Sequence, residues 1–339
     1  MSSTSKIILG KVRKIVPPML EKFHKGCDMS HVICEPSAAT VIKTYSPNLM
    51  VHPILQSTSS VQDGSSNNIS HHVKPILDFL PRLHVLVIGP GLGRDPLTQK
   101  ITAEVIKEAR KQEIALVMDA DALLLVQNDP KLIHGYKECL LTPNVVEFAR
   151  LSKSVGLDPP SSDGKAGGTS QDEAKSEACE KLSRALGGVL IIQKGAHDVI
   201  SNGDVSIISD VEGGKKRSGG QGDTLTGSLG TFMAWRKAYH DGLWEDGSSP
   251  SNDKSSESGN DADVVKKELY GEDADGDKKM SRKTTLLLAA WAGSAITREC
   301  SRRAFLAKGR SMQAGDLTEE VHGSFMDLIG EKQEDGSKL

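Results

Sequence analysis

The chain lacks three features that would each restrict it to a narrow class of protein. Its five cysteines form no Cys-x-x-Cys pair, which argues against a disulfide framework or a zinc knuckle and favours a reducing compartment. No apolar run approaches the roughly 20 residues that span a bilayer, so we expect no membrane partner. The net charge of -3 argues against a dedicated nucleic-acid binder, which would carry a basic surplus.

Common signatures of nucleotide and metal sites are also missing. No GxxxxGK[ST] string occurs, which excludes a P-loop enzyme, and the ten histidines show no HExxH spacing. The turn from Gly89 to Gly93 has the spacing GxGxG instead of GxGxxG, so the dinucleotide fingerprint fails. Any phosphate chemistry must therefore come from other residues.

The amino-terminal segment is basic and leaves two interpretations open. No acidic residue precedes Glu21, and an acid-poor, basic leader is typical of a mitochondrial presequence. We favour a basic first helix over 5–19 that Pro17 and Pro18 end. The expected location is therefore cytoplasmic, with a mitochondrial one as the alternative.

Polar segments divide the chain without dividing its core. Their Ser, Gly, Asn and Asp content cannot bury enough apolar surface to offset the cost of ordering, so we predict disordered insertions and a frayed tail. We expect one catalytic domain over 1–330 that contains them. The insertions are 57–72, 159–177 and 241–283, and the tail is 331–339.

Short aliphatic runs alternate with longer helical patterns along the rest of the chain. Strands without polar breaks are typical of a parallel sheet that helices cover on both faces, which predicts an α/β fold. In such sheets ligands bind beyond the carboxyl ends of the strands. The predicted strands are Val85–Ile88, Ile114–Met118 and Val189–Ile192, and the predicted helices are Pro96–Lys111, Thr224–Ala238 and Thr284–Ala307, with Trp235 and Trp291 in the core.

A glycine-rich string, Ser218-Gly-Gly-Gln-Gly-Asp-Thr-Leu-Thr-Gly227, precedes one of these helices. Several backbone N–H groups can face one point there, and the helix dipole adds partial positive charge, so the string predicts an anion-binding site. A carboxylate in such a place favours a catalytic base, Asp223. From the spacing alone, Asp223 could equally cap the helix.

The string resembles the signature of the ribokinase superfamily, and its Gly219–Ser228 portion is similar to the ATP-dependent NAD(P)H-hydrate dehydratases. The resemblance implies a ribokinase-like three-layer fold, with Asp223 activating the attacking hydroxyl and also touching substrate. The residues that it assigns to ATP in this region are Gly213, Gly214, Lys215, Lys216, Arg217, Ser218, Gly219, Gly220, Gln221 and Gly222.

Two further strings carry the same resemblance. Gly89-Pro-Gly-Leu-Gly-Arg-Asp95 could be only a tight strand-to-helix turn, but it resembles the family's segment in which Gly93 lies against the hydrated nucleotide. In Leu141-Thr-Pro-Asn-Val-Val-Glu-Phe-Ala-Arg-Leu151, Asn144 and Glu147 form a plausible capping pair. The resemblance implies that this segment lines the substrate through Asn144, Val145, Val146, Glu147, Phe148, Ala149 and Arg150. It also implies that Asn144 and Glu147 act on Mg²⁺ through water.

Two more clusters follow predicted strands. Lys194, Gly195, Ala196, His197 and Asp198 form either an ordinary turn or, by resemblance, part of the ATP site. Asp119 and Asp121 could orient magnesium or substrate, and Asp121 could simply cap the next helix, so we leave both outside the catalytic set.

The resemblance implies repair of hydrated NADH or NADPH at the expense of ATP, with Mg²⁺ as cofactor, and it leaves a homo-oligomer open. One departure puts activity in question, because Lys25-Gly26 runs directly into a later strand and a whole strand–turn–helix unit is absent. The alternatives are a ribokinase-like vitamin kinase and an inactive nucleotide-binding isoform.

Overall fold

A six-stranded sheet lies at the centre of the structure, a computed structural model that describes residues 29–46, 49–61, 68–158, 171–243 and 280–330. Two short parallel strands, β1 (His31–Ile33) and β2 (Met50–His52), form a separate pair. The main sheet has its strands side by side in chain order, the first four parallel and the last two antiparallel. They are β3 (Val85–Ile88), β4 (Ala115–Met118), β5 (Cys139–Leu141), β6 (Leu190–Gln193), β7 (Asp198–Ser201) and β8 (Ser206–Ser209).

Ten α-helices accompany these strands in the described part of the chain, together with short 3-10 turns. None of the described helices is long and apolar enough to cross a bilayer. The helices are α1 (Pro36–Tyr45), α2 (Ile69–Leu77), α3 (Pro96–Lys111), α4 (Asp121–Asn128), α5 (Val145–Ser154), α6 (Gln171–Ala185), α7 (Gln221–His240), α8 (Arg282–Lys308), α9 (Ala314–Glu319) and α10 (Val321–Leu328).

The sheet has a hydrophobic core on each face, as the aliphatic strands predict. Leu116 and Met118 of β4 lie in the core that α2 to α6 cover, whereas Ala115 and Val117 lie in the core of α7 and α8. All four are almost completely buried because successive side chains of a strand point to opposite faces. The three-layer α/β architecture is therefore confirmed, and Trp235 and Trp291 lie in the second core as expected.

Helices begin inside the three segments predicted as unstructured insertions. α2 starts at Ile69 and buries Val73 and Ile76, so the boundary at 72 was wrong. α6 starts at Gln171 and buries Cys179 and Leu182. α8 likewise starts at Arg282, inside 241–283. A few apolar positions at helical spacing are buried against α3 in the case of α2 and against the sheet in the case of α6, which average composition conceals. The predicted helix over 5–19, the tail, and most of 241–283 lie outside the described residues.

The outer edge of β3 has no partner strand among the described residues. β3 pairs only with β4, and β1 pairs only with β2, so the two sheets remain separate. Val87 of β3 packs close to Gly230 of α7 but stays 43% exposed. An exposed valine in the middle of a parallel strand is unusual, because such strands are normally covered on both faces.

Arg236 links the sheet to the two helices of the second core. Its guanidinium is 2% exposed and binds both carboxylate oxygens of Glu138, the residue before β5, while Nε donates to Oγ1 of Thr285 at 3.1 Å. Burial alone would raise the pKa of Glu138, but the hydrogen bonds and charge of Arg236 outweigh it and hold that pKa below its ordinary value.

Replacing Arg236 with alanine should therefore lower the free energy of unfolding by about 1–3 kcal/mol, because the partly buried Glu138 carboxylate would lose its hydrogen bonds to Arg236. Urea unfolding near neutral pH measures the change. The neighbouring Lys237→Ala is the matched control: its ion pair with Asp241 is exposed, so the loss should be at most about 1 kcal/mol. Equal losses in the two variants would show that the buried pair does not hold the fold.

Candidate active site

The glycine-rich string forms the beginning of α7 and carries Asp223 in its first turn. Gly220 is the N-cap residue, the helix starts at Gln221, and no side chain caps it. The alternative that Asp223 caps the helix is therefore wrong. None of the described residues hydrogen-bonds to the Asp223 carboxylate, which remains open to solvent at the positive end of the helix dipole. Such a carboxylate is available to an incoming ligand.

Asp119 and Lys194 lie beside this turn, each at the carboxyl end of a parallel strand. Nζ of Lys194 is 2.8 Å from Oδ1 of Asp119, and the Asp119 side chain is almost fully buried. A Cβ at Gly222 would lie 3.0 Å from Oδ2 of Asp119, so the absence of a side chain at Gly222 favours this close approach of the glycine-rich turn. The residue that we left outside the catalytic set is thus at the centre of the site.

Two effects raise the pKa of Asp223 above its ordinary value, and a third opposes them. Burial contributes the most, the negative charge of Asp119 adds to it, and the positive charge of Lys194 opposes both. A carboxylate with a raised pKa is a better proton acceptor than an ordinary aspartate, which suits a general base.

The loop 194–198 follows β6 and is held by residues of α8. Asp198 is buried, accepts from the Gly195 N–H at 3.0 Å and from Oγ of Ser294 at 2.8 Å, and pairs with Arg298 at 3.2 Å. The carboxylate therefore shapes the loop and is not open to a ligand. Lys194 extends towards the anion-binding turn, so it is the residue of this loop that is best placed to meet a phosphate.

Arg298 of α8 is a site residue that the sequence patterns did not indicate. Its guanidinium donates to the carbonyls of Gly195, Ala196 and Val211, and so ties together the two loops assigned to ATP. The only local signal was an arginine facing inward from a helix of small and apolar residues. Its partners lie about 100 positions away in the chain, beyond any local pattern.

The segment 213–217 approaches α7 with its basic residues in different roles. Lys216 donates to the carbonyl of Met312 at 2.6 Å, and Gln221 donates to the carbonyl of Lys216 at 3.2 Å. Lys215 and Arg217 are exposed. Of the three predicted cations, the structure therefore uses Lys216 to hold the loop and leaves the other two accessible.

The start of α5 has the predicted capping box. Asn144 Oδ1 accepts from the N–H groups of Val146 and Glu147, and Glu147 Oε2 accepts from the Asn144 N–H at 2.8 Å. Val145 and Val146 are both more than half exposed, whereas Phe148 is 1% exposed in the core. The helix turns the Phe148 side chain towards the sheet, away from the exposed surface that carries Val145 and Val146.

A cavity of about 180 Å³ is lined by two of the predicted substrate residues, Glu147 and Arg150. Typical ligand pockets measure roughly 300–1,000 Å³, so this one has room for one part of a dinucleotide. Beside it, Asp121 accepts from the Gly93 N–H at 3.2 Å and from Nε of Arg94 at 3.0 Å. The alternative that Asp121 caps α4 is wrong, since it is the first helical residue. The lining residues are Arg94, Ala120, Asp121, Leu123, Leu124, Gln127, Glu147 and Arg150.

The donor set permits magnesium only in an indirect role. Within the described ranges, no three His, Cys, Asp or Glu residues cluster as a metal site. The Asn144 amide oxygen already accepts two backbone hydrogen bonds, while Glu147 uses Oε2 for the cap and retains Oε1. Because Mg²⁺ usually keeps several waters, these residues fit a hydrated ion bound mainly by nucleotide phosphates.

Solved structures share the fold at low sequence identity. A hypothetical protein of Streptococcus mutans aligns with a TM-score of 0.60 at 17% identity, covering 95% of this chain and 87% of that one. A ribokinase-like superfamily protein of Enterococcus faecalis aligns with a TM-score of 0.55 at 16% identity, covering 95% and 84%. These likenesses confirm the expected ribokinase-like fold.

Sequence relatives are much closer. The relative from Ajellomyces capsulatus is 60% identical over the full length of both chains, and that from Emericella nidulans is 58% identical over all of this chain and 97% of its own. A mouse relative is 37% identical over 90% of this chain and 72% of its own. All three are named ATP-dependent (S)-NAD(P)H-hydrate dehydratase.

The alignment with the Ajellomyces protein also bears on the absent unit. It spans 379 positions, whereas this chain has 339 residues, so about 40 positions hold residues of the relative alone. A strand–helix unit with its turns is of that size. A family model described as NAD(P)H-hydrate dehydratase matches residues 22–249. With its glycine-rich turns, its capping-box helix and these similarities, the chain belongs to the NAD(P)H-hydrate dehydratase family.

Proposed function

We propose that this protein uses ATP to dehydrate the (S) form of hydrated NADH or NADPH, which returns the reduced nicotinamide with ADP and phosphate. One observation carries the proposal: the Asp223 carboxylate stands free at an anion-binding helix start, next to Lys194 and to the turns that line the small cavity. A base, a cation and a phosphate cradle in one place suit transfer of a phosphoryl group to a hydroxyl.

Asp223 would begin the reaction as the base. The ring hydroxyl oxygen attacks the γ-phosphorus of ATP, its proton passes to the Asp223 carboxylate, and ADP departs. The new phosphate ester then breaks its C–O bond, the neighbouring ring carbon loses a proton, and the ring double bond returns. Phosphorylation thereby turns a poor leaving group into a good one, and the kinase-like step ends as an elimination.

The backbone around Asp223 would stabilise the charge that develops on the transferring group. Amides of Gly219 to Gly222 face the start of α7, where the helix dipole favours an anion, and Lys194 adds a full positive charge. Mg²⁺ carried by the ATP phosphates would supply further neutralisation. The substrate would meet Glu147 and Arg150 of α5 and the turn at Gly93, which line or border the cavity.

We also propose a cytoplasmic location, which the state of the cysteines supports. Cys34, Cys139, Cys179 and Cys300 are all free and buried. Burial raises the pKa of each thiol, so these residues are unreactive core side chains of the kind that persist in a reducing compartment.

The first test is turnover by the purified chain with (S)-NADH hydrate and Mg-ATP. The near-ultraviolet absorbance of reduced nicotinamide should recover, and Asp223→Asn should lower kcat by about 10²–10⁴-fold, because it removes the base without changing the shape of the site. Phosphate release must match the recovery. A stable phosphorylated product would indicate the alternative, a small-molecule kinase.

The companion experiment adds a strand–helix unit from the Ajellomyces relative to this chain. If this chain is inactive while the extended version restores the absorbance of reduced nicotinamide, the family chemistry stands and the chain is an inactive isoform. Inactivity of both versions would contradict the proposed reaction.

The raised pKa of Asp223 predicts the pH dependence. The base works deprotonated, so kcat/KM should fall on the acidic side at a pH above the ordinary aspartate value of about 3.9. Asp119→Asn removes a repelling charge and should shift this limb to lower pH, whereas Lys194→Met should shift it to higher pH. Identical limbs in the three proteins would contradict the assignment of Asp223 as the titrating base.

The magnesium requirement gives a separate prediction at α5. EDTA should abolish turnover and Mg²⁺ should restore it, and Glu147→Gln should raise the Mg²⁺ concentration that gives half-maximal rate. Glutamine at the third helical position still completes a capping box, so this change isolates the charge from the fold. An unchanged Mg²⁺ requirement, with an unchanged melting temperature, would exclude Glu147 from the metal environment.

A further inference from the structure

The turn between β4 and α4 contacts both sides of the site. On the side predicted to bind ATP, Oδ1 of Asp119 accepts a hydrogen bond from Nζ of Lys194, and Oδ2 lies next to Gly222. Its backbone carbonyl faces Gly89, where a Cβ would lie only 1.7 Å from that oxygen. The first glycine of one turn and the last glycine of the other therefore meet the same aspartate.

Two residues later, Asp121 makes the corresponding contacts on the other side. Its Oδ2 accepts from the Gly93 N–H at 3.2 Å and its Oδ1 accepts from Nε of Arg94 at 3.0 Å. Arg94 is otherwise mostly exposed, so this ion pair is what orients its guanidinium along the wall of the cavity. Asp121 thus holds the Gly93 N–H and the Arg94 side chain, while Gln99 of α3 holds the Gly93 carbonyl at 2.7 Å.

Ala120 between them has a backbone conformation that alanine rarely adopts. Its φ of 48° and ψ of −121° lie in the region that glycine favours. Surrounding hydrogen bonds hold it there: its N–H donates to Asp119 Oδ1 at 2.8 Å, and its carbonyl accepts from Leu123 at 3.0 Å. Such strain persists only where the surroundings determine it, and it clusters at functional sites.

We propose that Asp119, Ala120 and Asp121 form one positioning element for the dehydration reaction. Asp119 holds Lys194 at the transferring phosphate, Asp121 holds Gly93 and Arg94 at the hydrated nicotinamide nucleotide, and the strained Ala120 sets one carboxylate against each side. This inference rests on the proposed function and adds residues that act through others. Neither aspartate is assigned a chemical step.

A purely structural role for Asp121 predicts something different. A carboxylate in the first turn of α4 would stabilise the helix through its dipole alone. Its loss would then lower the melting temperature and leave both Michaelis constants unchanged. Positioning instead predicts that each aspartate affects a different substrate.

Steady-state kinetics with NADPH hydrate and ATP separate the two roles. Asp121→Ala should raise the KM for the hydrate by about tenfold or more, as expected for the loss of charge-assisted hydrogen bonds, with the KM for ATP unchanged. Asp121→Asn should give a KM for the hydrate between those of the wild type and Asp121→Ala, since its amide oxygen can still accept from the Gly93 N–H. Asp119→Asn should raise the KM for ATP and lower kcat while leaving the hydrate KM unchanged.

The matched control is Asp129→Ala at the other end of α4. Asp129 also accepts a backbone N–H, that of Lys131 at 3.2 Å, and it lies outside the site. It should leave all three kinetic constants unchanged. An Asp121→Ala enzyme whose hydrate KM equals that of Asp129→Ala would overturn the proposal, as would variants of Asp119 and Asp121 that affect the same substrate.

Hydrogen exchange keeps this test independent of turnover. In the ligand-free protein, Asp121→Ala should accelerate amide exchange in the turn 89–95, whereas Asp129→Ala should not. If the wild-type chain fails to turn over hydrate, the proposed function fails while the exchange result still decides whether Asp121 holds the turn. Unchanged exchange at 89–95 would overturn the inference even in an active enzyme.

Discussion

The close approach of two glycine-rich turns to Asp119 is the constraint on which this site depends. Asp119 directly follows β4, which pairs with β3 and β5 and has a core on each face, and the Asp119 N–H donates to the carbonyl of Ile88 at 3.1 Å. Gly89 and Gly222 come within contact distance because they have no side chain. The phosphate cradle and the turn that borders the cavity are therefore positioned against one rigid point of the sheet.

Negative side chains outnumber positive ones around Asp119. Two carboxylates, Asp119 and Asp223, share the neighbourhood of a single lysine, and the lysine pairs with the more buried of the two. The negative charge of Asp119 combines with burial to raise the pKa of Asp223. The ion pair with Asp119 also fixes the position of Lys194 beside the start of α7.

The division of the sheet affects the two sides of the site unequally. β6 and its loop, which lead to Lys194, lie in the interior of the sheet, whereas β3, which leads to Gly93, lies at its open edge. β6 therefore has a strand on each side, and Arg298 holds its loop. Among the described residues β3 has only β4 beside it, and the turn that follows β3 is held by Asp121 and by Gln99 of α3.

The sequence by itself determined the elements whose signals are local. The uninterrupted aliphatic run of Val85–Ile88 predicted a strand, Pro96–Lys111 was predicted with its observed ends, and the spacing of Asn144 and Glu147 predicted a capping box. Local hydrogen bonding and periodicity decide these features, so neighbouring residues contain the information. The starts of α2 and α6 were missed because only a few of their residues are apolar, and packing on α3 and on the sheet, respectively, supplies the rest of their stability.

Only the tertiary structure decided where each side chain of the site points and what it contacts. It turned Phe148 into the core, occupied Asp198 with Ser294 and Arg298, and brought Asp119 to Lys194 and Asp121 to Gly93. Each of these hydrogen-bond partners lies from 28 to 100 positions away along the chain. A motif identifies which residues can do chemistry, but their distances and pKa values follow from how the strands place them at the edge of the sheet.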